Sequence, residues 1–525
     1  MTAAVPSRHS SPARGTTARA LVPPPGTTAR ALVPALLVAT GLVLRGAHYL
    51  GNRALWVDEA NLALNVIGRD IAGLLRPLAD DQAAPFGFLA LAKIATTALG
   101  ENEYALRLLP LLAGLASLPV FLALARRCVS PVAVPVALAL FALAEPLVYY
   151  AAEFKQYSSD VFVSAGLWLA AARALGHPAS RAGATGLGAM GALAVWLSHP
   201  AVFVLAGVGT ALVADALGRH DRASVRRYCA AGVVWIMSFG AAYLLTIRPL
   251  ADNATLLRSW DVKHGAFMPL PPASVGDLEW FAESFFELFE GFVGVSAAGL
   301  AGVAFLAGGA ALLRKRREVL LLLLGPLLYG LAASGIQAYP LRGRLLLFMA
   351  PAVALLVAEG TAETRRALGG RSRAIVAGLA GLLLLGPVLD AMGVLFRGVE
   401  REEIRPVLEH VQRARSSAVG DAAGPVYVYY AAVPAFRFYA ERYAFGPRDW
   451  VEGVESRGAW EGYRRDLERL RGRTRVWVVF SHVSTRDGVD ERALFLDWLD
   501  GHGRRLDTVE RPGSSAYLYD LSGTP

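Results

Sequence analysis

Membrane-length apolar runs set the limits on what this chain can fold into. Stretches of roughly 17–22 mostly apolar residues recur through the first three quarters of the sequence, the length a helix needs to cross a bilayer core. They are Ala31–Leu50, Ala105–Ala125, Pro131–Val148, Tyr157–Leu175, Ala182–Leu197, Pro200–Leu217, Cys229–Ile247, Phe292–Leu313, Val319–Ile336, Leu341–Glu359 and Ala374–Phe396. That is about eleven spans, so the fold class expected is a polytopic α-helical membrane protein. The fifth and sixth are short and meet at Ser198–His199–Pro200, and the eighth is rich in Gly and Ala, which suits close helix packing. The composition agrees: 54% of the residues are hydrophobic and mean hydropathy is +0.41, above the roughly 45–50% apolar content of soluble domains.

Charge alternates between the loops. With the Arg-rich N-terminus inside, every second loop should be basic. Those loops hold Arg126–Arg127, Arg173 to Arg181, Arg219 to Arg227, Arg314–Arg317 and Arg365 to Arg373, and all five fit. The other loops hold Asp58–Glu59, the "YYAAEFKQY" run, "SHP", the stretch from Arg248 to Gly291, and "YPLRGR". An odd span count puts the C-terminal region outside. The net charge of +9 is then a consequence of inner loops and needs no nucleic acid. Cys128 and Cys229 fall beside inner loops and make no disulfide framework, and no Cys or His pattern has metal-ligand spacing.

Three regions follow. Residues 1–30, rich in Pro, Thr, Ala and Arg with "GTTARALVP" at Gly15–Pro23 and again at Gly26–Pro34, read as a disordered cytoplasmic tail. Residues 31–399 form the membrane module, with a long first outer loop at 51–104 whose apolar stretch Pro85–Gly100 is short for a span and suits a helix at the interface or against the bundle. Residues 400–525 are charged and read as a small soluble α/β domain outside the membrane, with strands at Pro425–Tyr430, Arg475–Phe480 and Ser515–Leu521 between helical stretches.

The ionisable residues near the outer ends of spans are the candidates for chemistry: Arg45, Asp58, Glu59, Asp80, Asp81, Glu153, Lys155, His199, Arg248, Arg342 and Arg344, with Tyr149, Tyr150, Tyr157 and Tyr339 among them. Each has a plain alternative. Asp58–Glu59 can serve as a helix start, Glu153 and Lys155 as a polar hinge, His199 as a turn residue, Arg342 and Arg344 as interfacial anchors, and Arg45 as a snorkelling side chain. Their common side is the argument for one cavity, in which a carboxylate takes a proton from a nucleophile and cations hold a departing phosphate. A substrate carried on a lipid explains why such a cavity belongs at a membrane surface.

In chain order these residues resemble the GT-C glycosyltransferases, in particular the family 39-like group related to dolichyl-phosphate-mannose–protein mannosyltransferases. "WVDEA" at Trp56–Ala60 is similar to the acidic pair of the family's first outer loop, and the stretch from Ala84 to Arg127 is similar to its aromatic helix, "RLP" and second span. "AEFKQYSSDVF" stands at the place of a Glu-Ala-Arg-Pro-Tyr run, and "YPLRGRLLLFMAPAVALLVAEG" resembles a late Arg-Tyr-Leu-Pro region. The chain departs from the pattern where Ala84–Pro85 replaces Pro-Pro and where Lys155 and Gln156 replace Arg and Pro. Lysine keeps the charge and loses bidentate phosphate geometry.

The resemblance implies an inverting transfer of a hexosyl or pentosyl group from a polyprenyl-phosphate donor to a glycan, lipid or protein acceptor, without metal or cofactor. It implies Asp58 as general base and Glu59 as an orienting catalytic group. Glu153 and Lys155 would meet the donor's sugar and phosphate, and Arg342 and Arg344 the polyprenyl phosphate; Tyr157, His199 and Tyr339 are further substrate-binding candidates. The expected setting is a bacterial inner membrane, N-terminus in the cytoplasm and C-terminal domain outside. The alternatives from other classes are a transporter or flippase for lipid-linked sugars and a non-enzymatic envelope assembly protein.

Overall fold

The computed structural model describes residues 27–248, 260, 265–368, 372–397, 401–417, 424–486 and 488–523. Most of the expected tail lies outside the described residues, but helix α1 (Thr27–Leu50) already begins within the second nonapeptide repeat. The membrane module continues with α2 (Val57–Ile67), α3 (Phe86–Leu99), α4 (Glu103–Cys128), α5 (Val134–Leu143), α6 (Glu145–Tyr149), α7 (Tyr157–Ala174), α8 (Arg181–Leu197), α9 (Ala201–Gly218) and α10 (Arg222–Ala242). Then come α11 (Val275–Val293), α12 (Ala298–Lys315), α13 (Arg317–Gly335), a 3-10 segment Gly343–Met349, α14 (Ala350–Leu368) and α15 (Ser372–Arg397).

All eleven expected spans are helical. Among the described residues, eight helices are long and apolar enough to cross a membrane by themselves. A ninth is a pair, Val134–Leu143 with Glu145–Ala152, bent by 56°. The other two fall short for visible reasons. α8 has 17 residues, and α7 carries Ser158, Ser159, Asp160 and Ser164 on its buried side.

The bend also corrects the reading of Arg45. Ala144 leaves the helical region at φ −53° and ψ 115°, and Pro146 follows, so the carbonyls at the end of α5 lose their helical donors. Arg45 supplies the replacement. Its NH1 donates to Ala142 O at 3.1 Å and its NH2 to Phe141 O at 3.3 Å, and the side chain is buried. It does not snorkel; it caps a broken helix.

The loops separate by charge. At one end, Glu359 accepts from the Ser130 amide at 2.7 Å, Lys315 pairs with Glu363 at 2.6 Å and Arg316 donates to Arg127 O. The basic loops 126–130 and 314–317 thus gather with the end of α14. Asp58, Glu59, Glu153, Lys155 and Arg344 gather elsewhere, where the first loop meets the start of α4 and the segment that leads into α14.

The C-terminal region builds a mixed five-stranded sheet in the order β2-β1-β3-β7-β6, with β1 Val426–Val428, β2 Trp450–Glu452, β3 Val476–Ser481, β6 Arg504–Arg511 and β7 Ser514–Asp520. A separate two-stranded ribbon joins β4 (Thr485–Arg486) to β5 (Val489–Asp490). β2, β1 and β3 run parallel, and β7 and β6 return antiparallel. β1, β3 and β7 sit at the expected strand positions. β2 and β6 were not expected; β6 is an edge strand with Val509 as its buried side chain, so it lacks the apolar signal of a central strand.

The sheet does not stand apart. Its apolar core is continuous with that of the first loop: Leu55, Leu62, Phe88 and Phe154 belong to the same buried cluster as Tyr427, Phe436, Trp477 and Tyr517. Polar contacts seal the joint. Tyr439 Oη accepts from the Leu55 amide and donates to Glu103, both at 2.9 Å, and Glu403 accepts from the Ala54 amide at 2.9 Å.

The Gly- and Ala-rich eighth span packs closely, as its composition implies. A Cβ on Gly308 of α12 would lie 2.0 Å from Leu356 O, and one on Gly360 of α14 would lie 1.8 Å from Ala304 O. The two backbones therefore touch. Gly360→Ala should destabilise the protein by about 1–3 kcal/mol through overpacking, seen as a lower melting midpoint in detergent, whereas Gly299→Ala, which meets nothing within 4 Å, should not.

Candidate active site

The site is assembled around a buried ion pair. The first turn of α2 carries Asp58 and Glu59, and neither side chain caps that helix. Glu59 turns inward, with 0% of its side chain exposed. Arg107 of α4 grips it bidentately, Nε to Oε1 at 2.8 Å and NH2 to Oε2 at 2.6 Å. The same guanidinium donates to the carbonyls of Arg53 at 2.7 Å and Ala54 at 3.2 Å. The Phe154 amide donates to Glu59 Oε1 at 2.6 Å. One carboxylate thus ties the first loop, α4 and the Glu153–Lys155 loop together.

Burial alone would raise the Glu59 carboxyl. The charges of Arg107 and Arg53, with hydrogen bonds from Arg107 and Phe154, hold it below its ordinary value. Glu153 goes the other way. Burial raises it first and the charge of Glu59 raises it further, against the pull of Arg53, whose NH2 lies 3.5 Å from Glu153. Two carboxylates close together cannot both ionise easily, and these two are driven apart.

Asp58 is the open member of the pair. Its side chain is 23% exposed and lies 2.5 Å from NH2 of Arg344, itself 26% exposed. Burial pushes the Asp58 carboxyl up, but the charges of Lys155 and Arg344 and the Arg344 hydrogen bond outweigh it and hold the group below its usual value. Lys155 is buried, and its Nζ donates to Gln82 Oε1 at 2.8 Å. Burial depresses its ammonium, with the charge of Asp58 acting against the change. Arg344 also lies over the Tyr157 ring, 5.5 Å from its centroid, and 5.9 Å from that of Trp56.

Not every expected residue arrives here. Asp58, Glu153, Lys155, Tyr157 and Arg344 do. Glu59 lies beneath the site, fully engaged, and acts as a brace rather than a group facing substrate. Arg342 points elsewhere: it pairs with Glu283 at 2.5 Å and Glu287 at 3.6 Å on α11, because the left-handed Gly343 (φ +58°) turns the chain between the two arginines. His199 is half-buried with Nε2 lacking a hydrogen-bond partner, and Tyr339 packs on Phe203 and donates to Leu345 O at 3.1 Å. Sequence reasoning missed Arg53, Arg107 and Gln82. Arg107 carried a signal, a lone charge inside an apolar run, which is costly unless paired.

The overall fold matches solved structures at low identity. ArnT from Cupriavidus metallidurans bound to undecaprenyl phosphate superposes with a TM-score of 0.54 at 14% identity, over 94% of this chain and 98% of that one. The fold is GT-C. An oligosaccharyltransferase from Archaeoglobus fulgidus in complex with Zn and sulfate matches with a TM-score of 0.52 at 13% identity, over 85% of this chain and 67% of that one. The archaeal oligosaccharyltransferase AglB from the same organism, in complex with an inhibitory peptide and a dolichol-phosphate, matches with a TM-score of 0.51 at 12% identity, over 94% and 75%. No protein-family model matches the sequence. No curated protein matches it either.

Within this fold the site combines one accessible carboxylate with two cations beside it. Such a set can take a proton at Asp58 and hold an anion at Arg344 and Lys155. Among the described residues no group of three or more His, Cys, Asp or Glu is placed to hold a metal ion.

The brace has a pH signature. A carboxyl depressed by folding contributes stability that is complete above its unfolded value, about 4.3, and lost as pH falls through the lower folded value. Glu59→Ala should cost about 3–5 kcal/mol, since it strands a buried guanidinium. In melting experiments the stability gap between the native protein and Glu59→Gln should narrow as pH drops below about 4; a constant gap would remove the brace.

Proposed function

We propose that this protein is an integral-membrane glycosyltransferase that moves a sugar from a polyprenyl-phosphate donor to an acceptor on the extracytoplasmic side. The observation that carries the reading is the Asp58–Arg344 pair, 2.5 Å apart and partly open while its neighbours are buried. The printed ligands of the fold neighbours, undecaprenyl phosphate on ArnT and dolichol-phosphate on AglB, support a lipid phosphate as the donor's carrier. The gathering of the basic loops away from the site supports an outer location for the chemistry.

The mechanism follows from the charges. Arg344 rests on Asp58. A donor phosphate offers Arg344 a stronger, bidentate partner, and Lys155 adds a compact positive charge beside it. Asp58 is then released, ionised, to accept the proton of the acceptor hydroxyl or amine. The acceptor's lone pair forms the new bond to the anomeric carbon from the face opposite the phosphate. The bond from that carbon to the phosphate oxygen breaks, its electrons stay on the lipid phosphate, and the configuration inverts. Donor charge is thus neutralised by Arg344 and Lys155 as it develops.

Asp58→Asn should abolish transfer, by about 100-fold or more for loss of a general base, with membrane insertion and melting midpoint retained. Near-normal turnover in that variant would end the proposal. The alkaline limb tests Lys155. Because its ammonium is depressed below the usual 10.5, activity should fall with rising pH before that value. Lys155→Arg should move the fall to higher pH, and an unmoved limb would take Lys155 out of donor binding.

A further inference from the structure

A cleft of about 310 Å³ opens beside the end of β3, lined by Arg401, Glu402, His482, Arg492 and Ser514. The mechanism above leaves these residues unused. His482 follows the end of β3 in left-handed backbone, φ 51°, a conformation uncommon for a residue with a side chain. Its Nδ1 lies 2.8 Å from Glu402 Oε1. A carboxylate there takes Nδ1–H, so in the neutral ring Nε2 keeps its lone pair. Glu402 is itself buried, and its Oε2 has no hydrogen-bond partner.

Trp56 joins this cleft to Asp58. The His482 ring packs against it, centroids 5.9 Å apart, and the Arg401 guanidinium lies 3.7 Å from its centroid. On the Asp58 side, Arg344 lies 5.9 Å from the same ring. The buried Trp56 Nε1 has no acceptor. Arg401 donates to Tyr149 Oη at 2.5 Å and pairs with no carboxylate among the described residues. Arg492 has an exposed partner, Asp490, 3.5 Å away, a contact of the kind that costs little to exchange.

We propose that this cleft is the acceptor subsite, in which Arg401 and Arg492 hold an anionic group of the acceptor and His482, set by Glu402, takes a hydrogen bond from a second acceptor hydroxyl, next to the one whose proton Asp58 accepts. The inference rests on the sugar-transfer reading and adds to it the acceptor's class, a hydroxylated molecule bearing phosphate or carboxylate. His482 takes no proton in the transfer; it aligns the nucleophile for Asp58.

The test uses the full chain in lipid nanodiscs, titrated with methyl glucoside 6-phosphate, the corresponding 6-carboxylate (methyl glucuronoside) and uncharged methyl glucoside, with binding read by saturation-transfer NMR. The phosphate, the carboxylate or both should bind about tenfold or more tightly than the neutral sugar, the scale of a charged hydrogen bond, and the stronger of the two names the group. Arg492→Ala should remove most of that preference, and His482→Gln should weaken the charged ligand about tenfold. Melting midpoints monitor folding; because His482 packs on Trp56, the half-buried Arg492 provides the variant that keeps the test open if His482→Gln fails to fold. No binding, equal binding of charged and neutral sugars, or a preference that survives Arg492→Ala overturns the proposal. Activity in Asp58→Asn would instead strike at the transfer reading and leave these binding results standing, so the two failures are distinct.

Discussion

The Glu59–Arg107 pair is the constraint on which the rest of the site depends. It is fully buried, and both partners are saturated: the carboxylate by two guanidinium nitrogens and the Phe154 amide, the guanidinium by Glu59 and two loop carbonyls. A buried ion pair is weak evidence for net stability. Its value here is geometric. Neighbouring residues on a helix point about 100° apart, so once Glu59 is fixed inward on α4, Asp58 has one direction left, across the mouth toward Arg344. The same carboxylate holds the Phe154 amide and so fixes the loop that presents Lys155. An accessible, ionised Asp58 is a consequence of its buried neighbour.

Most of the fold was legible because hydrophobic period and length report it directly. The eleven apolar stretches are helices, and the strands at β1, β3 and β7 fall where β-branched and aromatic runs predict them. The break at Ala144 was not legible, since the run through it is apolar on both sides and only Pro146 hints at a bend. β6 was not legible either, because an edge strand facing solvent reads as a polar segment. At the site, proximity between Asp58 and Arg344, 286 residues apart in sequence, could be inferred only from a shared side of the membrane and from family resemblance. That argument could not separate Arg344 from Arg342. A glycine between them reverses the chain, and one guanidinium goes to Asp58 while the other goes to the acidic face of α11.

The charges in the site are unequal, and the inequality has a direction. Arg53, Arg107, Lys155 and Arg344 surround Asp58, Glu59 and Glu153, and Glu153 is pushed toward its neutral form by burial and by Glu59. Glu59 neutralises Arg107. What is left over is positive, concentrated at Lys155 and Arg344, the two cations next to the only one of these carboxylates that is substantially open. An anionic ligand entering there meets desolvated cations that need no rearrangement except the release of Arg344 from Asp58. A lysine at 155 fits this arrangement: the buried ammonium is compact, and Gln82 satisfies one of its three donors.

The same reasoning bears on why a soluble sheet is attached to a membrane bundle at all. A tethered domain with its own closed core could be exchanged or lost without touching the first loop. Here Leu55, Leu62 and Phe88 of the loop are packed with residues of the sheet in one apolar cluster, and Tyr439 accepts the Leu55 amide's hydrogen bond one residue before Trp56. Trp56 immediately precedes the helix that carries Asp58. Moving the sheet would therefore move the start of α2, and with it the angle at which Asp58 faces Arg344. The sheet and the carboxylate are parts of one mouth, in which His482 and Arg401 pack on the Trp56 that leads into the Asp58 helix.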